Sequence, residues 1–202
     1  MRSLNLFGRM SLAVALLALA GLACTADDKK DKEKEKTEPD VVFVPTPHEV
    51  VDKMLEVAKV TSKDTVYDLG CGDGRIVCTA AKKYKCKAIG FDIDPDRIKD
   101  SEKTKAGLDK EIQKLVTIKK QDIFKVDLSP ASVVTLYLLP DLNVKLIPQL
   151  KKLKAGSRIV SHAFDMKGVT PDKGYPIRVK VGDLEHDVYL WTTPLKFEKD
   201  KD

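Results

Sequence analysis

Three glycines at alternate positions follow an apolar segment and could form a binding loop for a nucleotide-like ligand. Residues 66–69 are typical of a short buried strand, Gly70, Gly72 and Gly74 come next, and a helical pattern begins at Arg75. Glycines let the main chain turn sharply and bring its N–H groups close to a ligand, and the N-terminus of the next helix carries partial positive charge. We call residues 70–74 the glycine loop.

The spacing in the glycine loop narrows the ligand class. A dinucleotide fingerprint has its third glycine five positions after the first, but here Arg75 stands at that position and the third glycine is Gly74. We therefore expect neither a nicotinamide nor a flavin dinucleotide. Cys71 is interpreted as a small residue inside the ligand loop.

Acidic residues follow the next two predicted strands. Asp92 ends the second strand about 20 residues beyond the glycine loop, where an acidic side chain can accept hydrogen bonds from ribose hydroxyls. Asp94, directly before Pro95, is interpreted as the N-cap of the next helix. Asp122 follows the third strand and precedes two apolar residues, a pattern that suits a flat purine and its exocyclic amine.

These three segments, in this order, resemble the class I S-adenosylmethionine-dependent methyltransferases over about residues 41–194. The resemblance implies S-adenosyl-L-methionine as cofactor, with Asp68 near the ammonium end of its methionine moiety and the glycine loop beneath it. It also implies Asp92 on the ribose. The remaining cofactor-binding residues predicted on this basis are Ile93, which follows Asp92, and Asp122 with Ile123 around the adenine.

The order of the elements predicts an α/β fold with a doubly wound, mostly parallel, seven-stranded sheet. A capping box of Thr46 and Glu49 predicts the first helix. The apolar residues 133–139 predict a fourth strand buried on both faces, and the alternating pattern over residues 177–191 predicts an antiparallel C-terminal hairpin. His48 is interpreted as a helix-start residue and His186 as a turn residue.

Three short motifs indicate the class of methyl acceptor. Residues 43–47, 137–140 and 160–162 read Phe-Val-Pro-Thr-Pro, Tyr-Leu-Leu-Pro and Val-Ser-His, and they resemble the protein-lysine methyltransferase family that includes the ATP-synthase c-subunit enzymes. This resemblance implies a protein lysine as acceptor. Tyr137 is then a candidate wall of the acceptor channel, or else a core residue. His162 could take a proton, or else be a hydrogen-bonded structural residue.

Two other functions remain open at this stage. One is a methyltransferase that acts on a small molecule or a lipid-linked acceptor, and the other is an exported module that binds S-adenosylmethionine without turnover. The composition, with 36 basic and 31 acidic residues and a net charge of +5, shows no basic stripe interleaved with aromatic residues, so we expect no nucleic-acid partner. We expect one methyltransferase domain over residues 41–195, acting as a monomer without a metal.

The N-terminal residues predict export or membrane attachment. Residues 1–23 contain Arg2 and Arg9 before a short apolar run, which is typical of a signal peptide or short anchor. Cleavage after Ala23 or Ala26, lipidation of Cys24 and an uncleaved anchor facing the cytoplasm all remain open, with the bacterial periplasm or membrane surface as the expected location. Residues 24–40 predict a disordered charged tether and residues 196–202 a charged tail.

The three other cysteines, Cys71, Cys78 and Cys86, have no metal-binding spacing. A disulfide between Cys78 and Cys86 is possible but nothing in the sequence supports it, and we expect three free thiols.

Overall fold

A computed structural model describes residues 43–198 of the 202-residue chain. Its helices are α1 (His48–Val57), α2 (Arg75–Tyr84), α3 (Pro95–Ala106), α4 (Lys110–Gln113) and α5 (Pro140–Leu150), with a 3₁₀ turn at Ile123–Lys125. Its strands are β1 (Thr65–Leu69), β2 (Lys87–Asp92), β3 (Val116–Lys120), β4 (Val133–Leu136), β5 (Arg158–His162), β6 (Val169–Thr170), β7 (Ile177–Val181), β8 (Leu184–Thr192) and β9 (Lys196–Phe197).

Seven of these strands form one sheet in the order β3-β2-β1-β4-β5-β8-β7. Strands β1 to β5 pair in parallel, whereas β8 pairs antiparallel with both β5 and β7. The strand order reverses direction between β1 and β4, which is the point where open α/β sheets bind ligands at the carboxyl ends of their strands. The predicted doubly wound sheet with an antiparallel hairpin is confirmed.

The two faces of the sheet carry separate apolar clusters. One contains the buried residues of α1 and α2 together with Val66, Val133 and Val160, and the other contains Leu69, Leu136 and the buried leucines of α5. Alternate residues of each strand therefore enter opposite clusters, as expected for strands covered on both faces. This double covering fixes the register of the central strands and hence the position of the residues at their ends.

Helix α3 is capped as the sequence predicts, whereas α1 begins at the predicted His48 but without the predicted cap. The Asp94 side chain accepts a hydrogen bond from the Asp96 N–H, with Pro95 in the first helical turn. The capping box predicted for α1 is wrong: the cap position is Pro47, without a side-chain cap. Thr46 is buried and forms a hydrogen bond with His162 instead, because the chain enters α1 across the end of β5.

Strand β4 is shorter than the predicted residues 133–139. It ends at Leu136, whose partners on the neighbouring strands are Leu69 and Ser161. Beyond it the chain leaves the sheet, so Tyr137 lies past the strand end, at the edge where the ligand loops meet. The apolar character of residues 137–139 reflects packing at this edge rather than strand pairing.

The C-terminal part of the fold extends past the predicted boundary at residue 195. Lys196 and Phe197 form β9, which pairs antiparallel with β6. The Lys151 Nζ lies 4.1 Å from the centre of the Phe197 ring. These contacts place the first two residues of the predicted charged tail in a strand.

Cys71, Cys78 and Cys86 are free and buried, so the prediction of free thiols is confirmed for them. The predicted signal peptide or anchor, the lipidation site at Cys24, the tether over residues 24–40 and residues 199–202 lie outside the described residues. Within residues 43–198, no helix is long and apolar enough to cross a membrane.

Candidate functional site

A pocket opens at the carboxyl ends of β1, β2 and β4, at the point where the strand order reverses. Its volume, counted to its open mouth and including the solvent there, is about 930 Å³. The residues that line it are Phe43, Val44, Pro45, Thr46, Asp68, Gly70, Cys71, Asp73, Arg75, Ile76, Asp92, Ile93, Asp94, Arg97, Asp122, Ile123, Phe124, Tyr137, Leu138 and Leu142.

The glycine loop forms the floor of this pocket. Its three glycines have φ angles of +78° at Gly70, +54° at Gly72 and +76° at Gly74, in the left-handed region that side chains other than hydrogen disfavour. A Cβ atom on Gly72 would lie 2.1 Å from Cε2 of Phe43. A side chain at position 72 is therefore disfavoured for two reasons: the positive φ angle and the close approach of the Phe43 ring.

Asp68 lies at the inner end of the pocket and is buried. Its Oδ1 accepts a 2.6 Å hydrogen bond from Thr135 Oγ1, whereas Oδ2 is buried without a hydrogen-bond partner. Burial raises the pKa of Asp68 to about 7, although the Thr135 hydrogen bond acts in the opposite direction. A buried carboxylate oxygen without a partner is costly, and a cationic group placed in the pocket would supply the missing partner.

Asp92 holds the glycine loop against the end of β2. Its Oδ2 accepts from the Gly72 N–H at 2.9 Å, and its Oδ1 accepts from the Asp94 N–H at 3.0 Å. Burial raises its pKa, and these main-chain donors partly offset that effect. A carboxylate has about four acceptor sites in total, so Asp92 can order the loop and accept from a ligand hydroxyl at the same time.

The remaining predicted cofactor residues lie at the outer part of the pocket. Ile93 follows Asp92 on the pocket wall, and Ile123 lies beyond the end of β3. Asp122 accepts a hydrogen bond from the Phe124 N–H at 3.0 Å and so begins the 3₁₀ turn. An acidic side chain beside two apolar ones can accommodate a flat heterocycle with an amino group.

Cys71 is part of the loop but is not a reactive thiol. Burial raises its pKa well above the usual range, and its Sγ lies 3.6 Å from Ser101 Oγ. A Cβ atom on Gly90 would lie 2.8 Å from that Sγ, so the thiol packs tightly against β2. Its role is to fill the space under the loop, as the sequence predicts for a small residue.

Tyr137 and His162 are neighbours, but only Tyr137 lines the pocket. Their ring centroids are 3.9 Å apart, with the fully buried His162 behind the tyrosine. The prediction that His186 is a turn residue is wrong, because it lies in β8. Its Nδ1 is 2.9 Å from His162 Nε2.

Three charged residues of the pocket were missed by sequence reasoning. Arg75 forms an ion pair with Asp73 at 2.6 Å and donates from Nη1 to the Thr46 carbonyl oxygen at 2.8 Å. Arg97 lies over the Phe43 ring, with its Cζ 4.9 Å from the ring centre. The two arginines thus attach the segment before α1 to the glycine loop and α3. The Asp-x-Arg pattern directly after Gly72 is the local signal that could have indicated the ion pair between Asp73 and Arg75.

Among the described residues, no cluster of histidine, cysteine and acidic side chains could hold a metal ion. Of the predicted cofactor residues, Asp68, Gly70, Cys71, Asp92, Ile93, Asp122 and Ile123 line one pocket, whereas Gly72 and Gly74 lie in the loop behind its wall. The pocket has a buried carboxylate oxygen without a partner at its inner end, the main chain of the glycine loop along its floor, and apolar side chains on its outer wall. This arrangement suits a nucleoside ligand that also carries a cationic group.

Known proteins with related sequences and structures point to one activity. A family model, the ANTKMT methyltransferase domain, matches residues 68–173. A protein-lysine N-methyltransferase of Saccharolobus islandicus is 46% identical over 156 residues, covering 76% of this chain and 94% of that protein. The human lysine N-methyltransferase named for the c-subunit of ATP synthase is 26% identical over 133 residues, covering 64% of this chain and 54% of that protein.

Among solved structures, an RNA methyltransferase from Salinibacter ruber in complex with S-adenosyl-L-homocysteine is 44% identical, with a TM-score of 0.67. The match covers 79% of this chain and 99% of that one. The relatives at 46% and 44% identity thus carry names with different methyl acceptors, a protein lysine and an RNA.

Proposed function

The chain belongs to the ANTKMT methyltransferase domain family, and we propose that its methyl acceptor is the side-chain amine of lysine in a protein. It is an S-adenosylmethionine-dependent methyltransferase. The cofactor supplies a methyl group that is activated by its bond to a positively charged sulfur. The residues of this chain therefore have to hold the cofactor, align the acceptor and remove the acceptor's proton.

The residues of the pocket fit this cofactor. Oδ2 of Asp68, buried without a partner, would accept from the ammonium group of the methionine moiety. Asp92, already fixed by two main-chain donors, would accept from a ribose hydroxyl. Asp122 and Ile123 would contact the adenine. We propose these roles from the chemistry of each group and its place on the pocket wall.

The relative at 46% identity, named a protein-lysine N-methyltransferase, carries the proposal for a lysine acceptor, and the charge of the pocket is compatible with it. Its wall includes the carboxylates of Asp68, Asp73, Asp92, Asp94 and Asp122, and the guanidinium groups of Arg75 and Arg97. An excess of carboxylates attracts a cationic side chain and repels phosphates. RNA-binding surfaces have the opposite bias, since lysine and arginine neutralise the phosphate backbone.

Tyr137 supports the same acceptor. Its ring lines the pocket and lies against the His162 ring, with the two centroids 3.9 Å apart, and burial raises the pKa of its hydroxyl. A lysine amine, with a free pKa of about 10.4, must lose a proton before it can attack. Removing water from the ammonium favours the neutral form, and an aromatic wall does this without hydrogen-bonding to the amine.

A methyl-labelling experiment tests the acceptor. Purified protein and S-adenosylmethionine with a labelled methyl group are added to an extract of the source cell, and portions are then treated with ribonuclease or protease. We expect the label to resist ribonuclease, to be released by protease and to be recovered as methyl-lysine. Label recovered in RNA would contradict the proposal and favour the acceptor named for the Salinibacter ruber protein. The Asp68→Ala variant provides the background.

We also propose that the N-terminal residues attach a monomeric domain to a membrane, since Arg2 and Arg9 precede an apolar run that ends at Cys24. Fractionation of cells that produce the full chain, followed by protease treatment of intact cells and spheroplasts, tests this. Recovery of the full-length chain in the soluble fraction, with no N-terminal processing, would contradict it.

A further inference from the structure

Three side chains form a hydrogen-bonded row from the pocket wall to the surface beside β8. Thr46 Oγ1, on the pocket wall, lies 3.2 Å from His162 Nδ1. On the other side of that ring, His162 Nε2 lies 2.9 Å from His186 Nδ1. Thr46 is 4% exposed and His162 is 1% exposed, whereas His186 is half-buried and can contact water.

We propose that Thr46, His162 and His186 form a path by which the proton released by the acceptor amine leaves the pocket. This inference rests on the proposed function, because a lysine ammonium has a proton to lose before methyl transfer. Thr46 is the member that faces the acceptor, so it is the catalytic residue of the row. The two histidines act through it and are positioning and relay residues.

The proton transfer balances along the row. The N–H bond of the ammonium breaks, its electron pair stays on nitrogen, and the proton goes to Thr46 Oγ1. The threonine passes its own hydroxyl proton to His162 Nδ1, the Nε2 proton of His162 goes to His186 Nδ1, and the Nε2 proton of His186 goes to water. Each imidazole is neutral before and after the transfer. The opposite transfer restores the starting state when water refills the pocket after product release.

The surroundings of His162 favour a relay over a lasting imidazolium. Burial lowers the pKa of His162 to about 4, and the neighbouring His186 lowers it further, so the ring is neutral near pH 7. The Tyr137 ring, from the loop after β4, lies against it at a tilt of 35°. The side chains of α1 that pack towards the sheet are apolar, with Val50 and Val51 fully buried. No resident charge of these elements would hold a proton at His162.

The charged groups of the hairpin lie away from His186. Arg178 pairs with Glu185 at 3.2 Å and with Asp187 at 3.4 Å. Both acidic residues are sequence neighbours of His186 in β8, so their side chains point to the opposite face of the sheet. On the face of His186, α1 places His48 and Glu49 at its exposed first turn. His186 is therefore the point where a proton can pass to solvent.

Two matched pairs of variants test the path in the full-length enzyme. Thr46→Val removes the hydroxyl and keeps the shape, whereas Thr46→Ser keeps the hydroxyl. His186→Gln interrupts the outer end, and His48→Gln changes an exposed histidine outside the row. The rate of methyl transfer to protein lysine is measured at saturating cofactor from pH 6 to pH 10, with cofactor affinity and melting temperature measured in parallel.

We expect Thr46→Val and His186→Gln to lower the rate at pH 7 by about a hundredfold or more, the usual scale for assisted proton transfer. The loss should shrink towards pH 10, where the amine loses its proton to water unaided. Thr46→Ser should retain most of the rate, and His48→Gln all of it. Imidazole in the buffer should partly rescue a His186→Gly variant. Cofactor affinity and melting temperature should differ little among these variants.

The outcomes separate this inference from the proposed function. If the wild type methylates lysine but Thr46→Val equals Thr46→Ser at every pH, the proton path is wrong and the acceptor stands. A rate loss in Thr46→Val and His186→Gln that is the same at all pH values would also overturn the path, because it indicates a structural role. If the wild type transfers no methyl group to lysine, both proposals fail.

Discussion

Asp68 Oδ1 accepts a 2.6 Å hydrogen bond from Thr135 Oγ1 across the paired strands β1 and β4. The register that pairs these two residues directs the carboxylate into the pocket. Oδ1 of Asp68 thus has a hydrogen-bond donor within the sheet, whereas Oδ2 is buried without a partner. The site therefore carries an electrostatic preference for a cation before any ligand binds.

The first prediction concerns the pH dependence of cofactor binding. Burial raises the pKa of Asp68 to about 7, so below that pH the carboxyl is mostly protonated and cannot pair with an ammonium. Binding an ammonium favours the ionised form, and affinity should rise as pH rises from 5.5 to 7, by up to about tenfold per unit. The Asp68→Asn variant should bind more weakly and lose this dependence.

Calorimetric titration with S-adenosylmethionine checks this prediction in buffers of different ionisation enthalpy, where the wild type should release a proton on binding. Asp109→Asn, a change at an exposed carboxylate outside the pocket, is the matched control. Equal pH slopes in the wild type and Asp68→Asn would show that another group titrates.

The second prediction concerns Asp92. Asp92→Ala removes the acceptor for the Gly72 and Asp94 N–H groups as well as the proposed partner of the ribose. We expect cofactor affinity to fall by about 1–3 kcal/mol, the scale for hydrogen bonds to a charged group. Asp92→Asn keeps one acceptor oxygen and should lose less. Isothermal titration measures both variants, and unchanged affinity in Asp92→Ala would limit Asp92 to a structural role.

The third prediction compares two glycines with positive φ. Gly72 has a φ of +54°, and a Cβ atom at that position would clash with Phe43 Cε2, whereas Gly156 has a φ of +83° and open space around it. Gly156→Ala should cost only the left-handed backbone penalty, about 1–2 kcal/mol of unfolding free energy. Gly72→Ala should cost more and also weaken cofactor binding, because the Phe43 ring must move.

Denaturant unfolding with parallel titration of the cofactor checks this pair. Phe43→Ala in the Gly72→Ala background should recover part of the lost stability, since it removes the clash. Equal stability and equal affinity of the two single glycine variants would mean that the Phe43 ring adapts freely.

The residues that the sequence could identify are those whose positions follow from local patterns. Asp68, Asp92 and the glycines lie at strand ends or in the turn that follows, and parallel strands bring their carboxyl ends to one edge of the sheet. Spacing predicted that Asp92 lies beside the glycine loop, and its hydrogen bond with the Gly72 N–H agrees with this, whereas Asp68 was predicted from the family resemblance. The family resemblance added the kind of ligand, which local geometry alone does not specify.

The histidine row could not be predicted from the sequence. Thr46 and His162 are 116 residues apart, and their contact depends on how the chain before α1 crosses the end of β5. His186 meets His162 because His162 pairs with Val188 across the antiparallel strands. His186, two residues from Val188, then lies on the same face of the sheet. An apolar pattern predicts that these strands exist, but not their register.

The last prediction concerns Tyr137, whose ring lies between the pocket and the buried His162. If the ring removes water from the acceptor amine, Tyr137→Ala should lower the rate of methyl transfer to lysine by at least about tenfold, or 1.4 kcal/mol. Cofactor affinity should change much less, because the tyrosine acts on the acceptor.

Tyr137→Phe keeps the ring and should lose far less of the rate, which separates the effect of the aromatic face from that of the hydroxyl. Rates are measured at saturating cofactor with a labelled methyl group, and melting temperatures show whether the loss of packing against His162 unfolds the alanine variant. A parallel fall of rate and cofactor affinity in Tyr137→Ala would place the tyrosine with the cofactor. A rate loss in Tyr137→Phe as large as in Tyr137→Ala would instead assign the effect to the hydroxyl group.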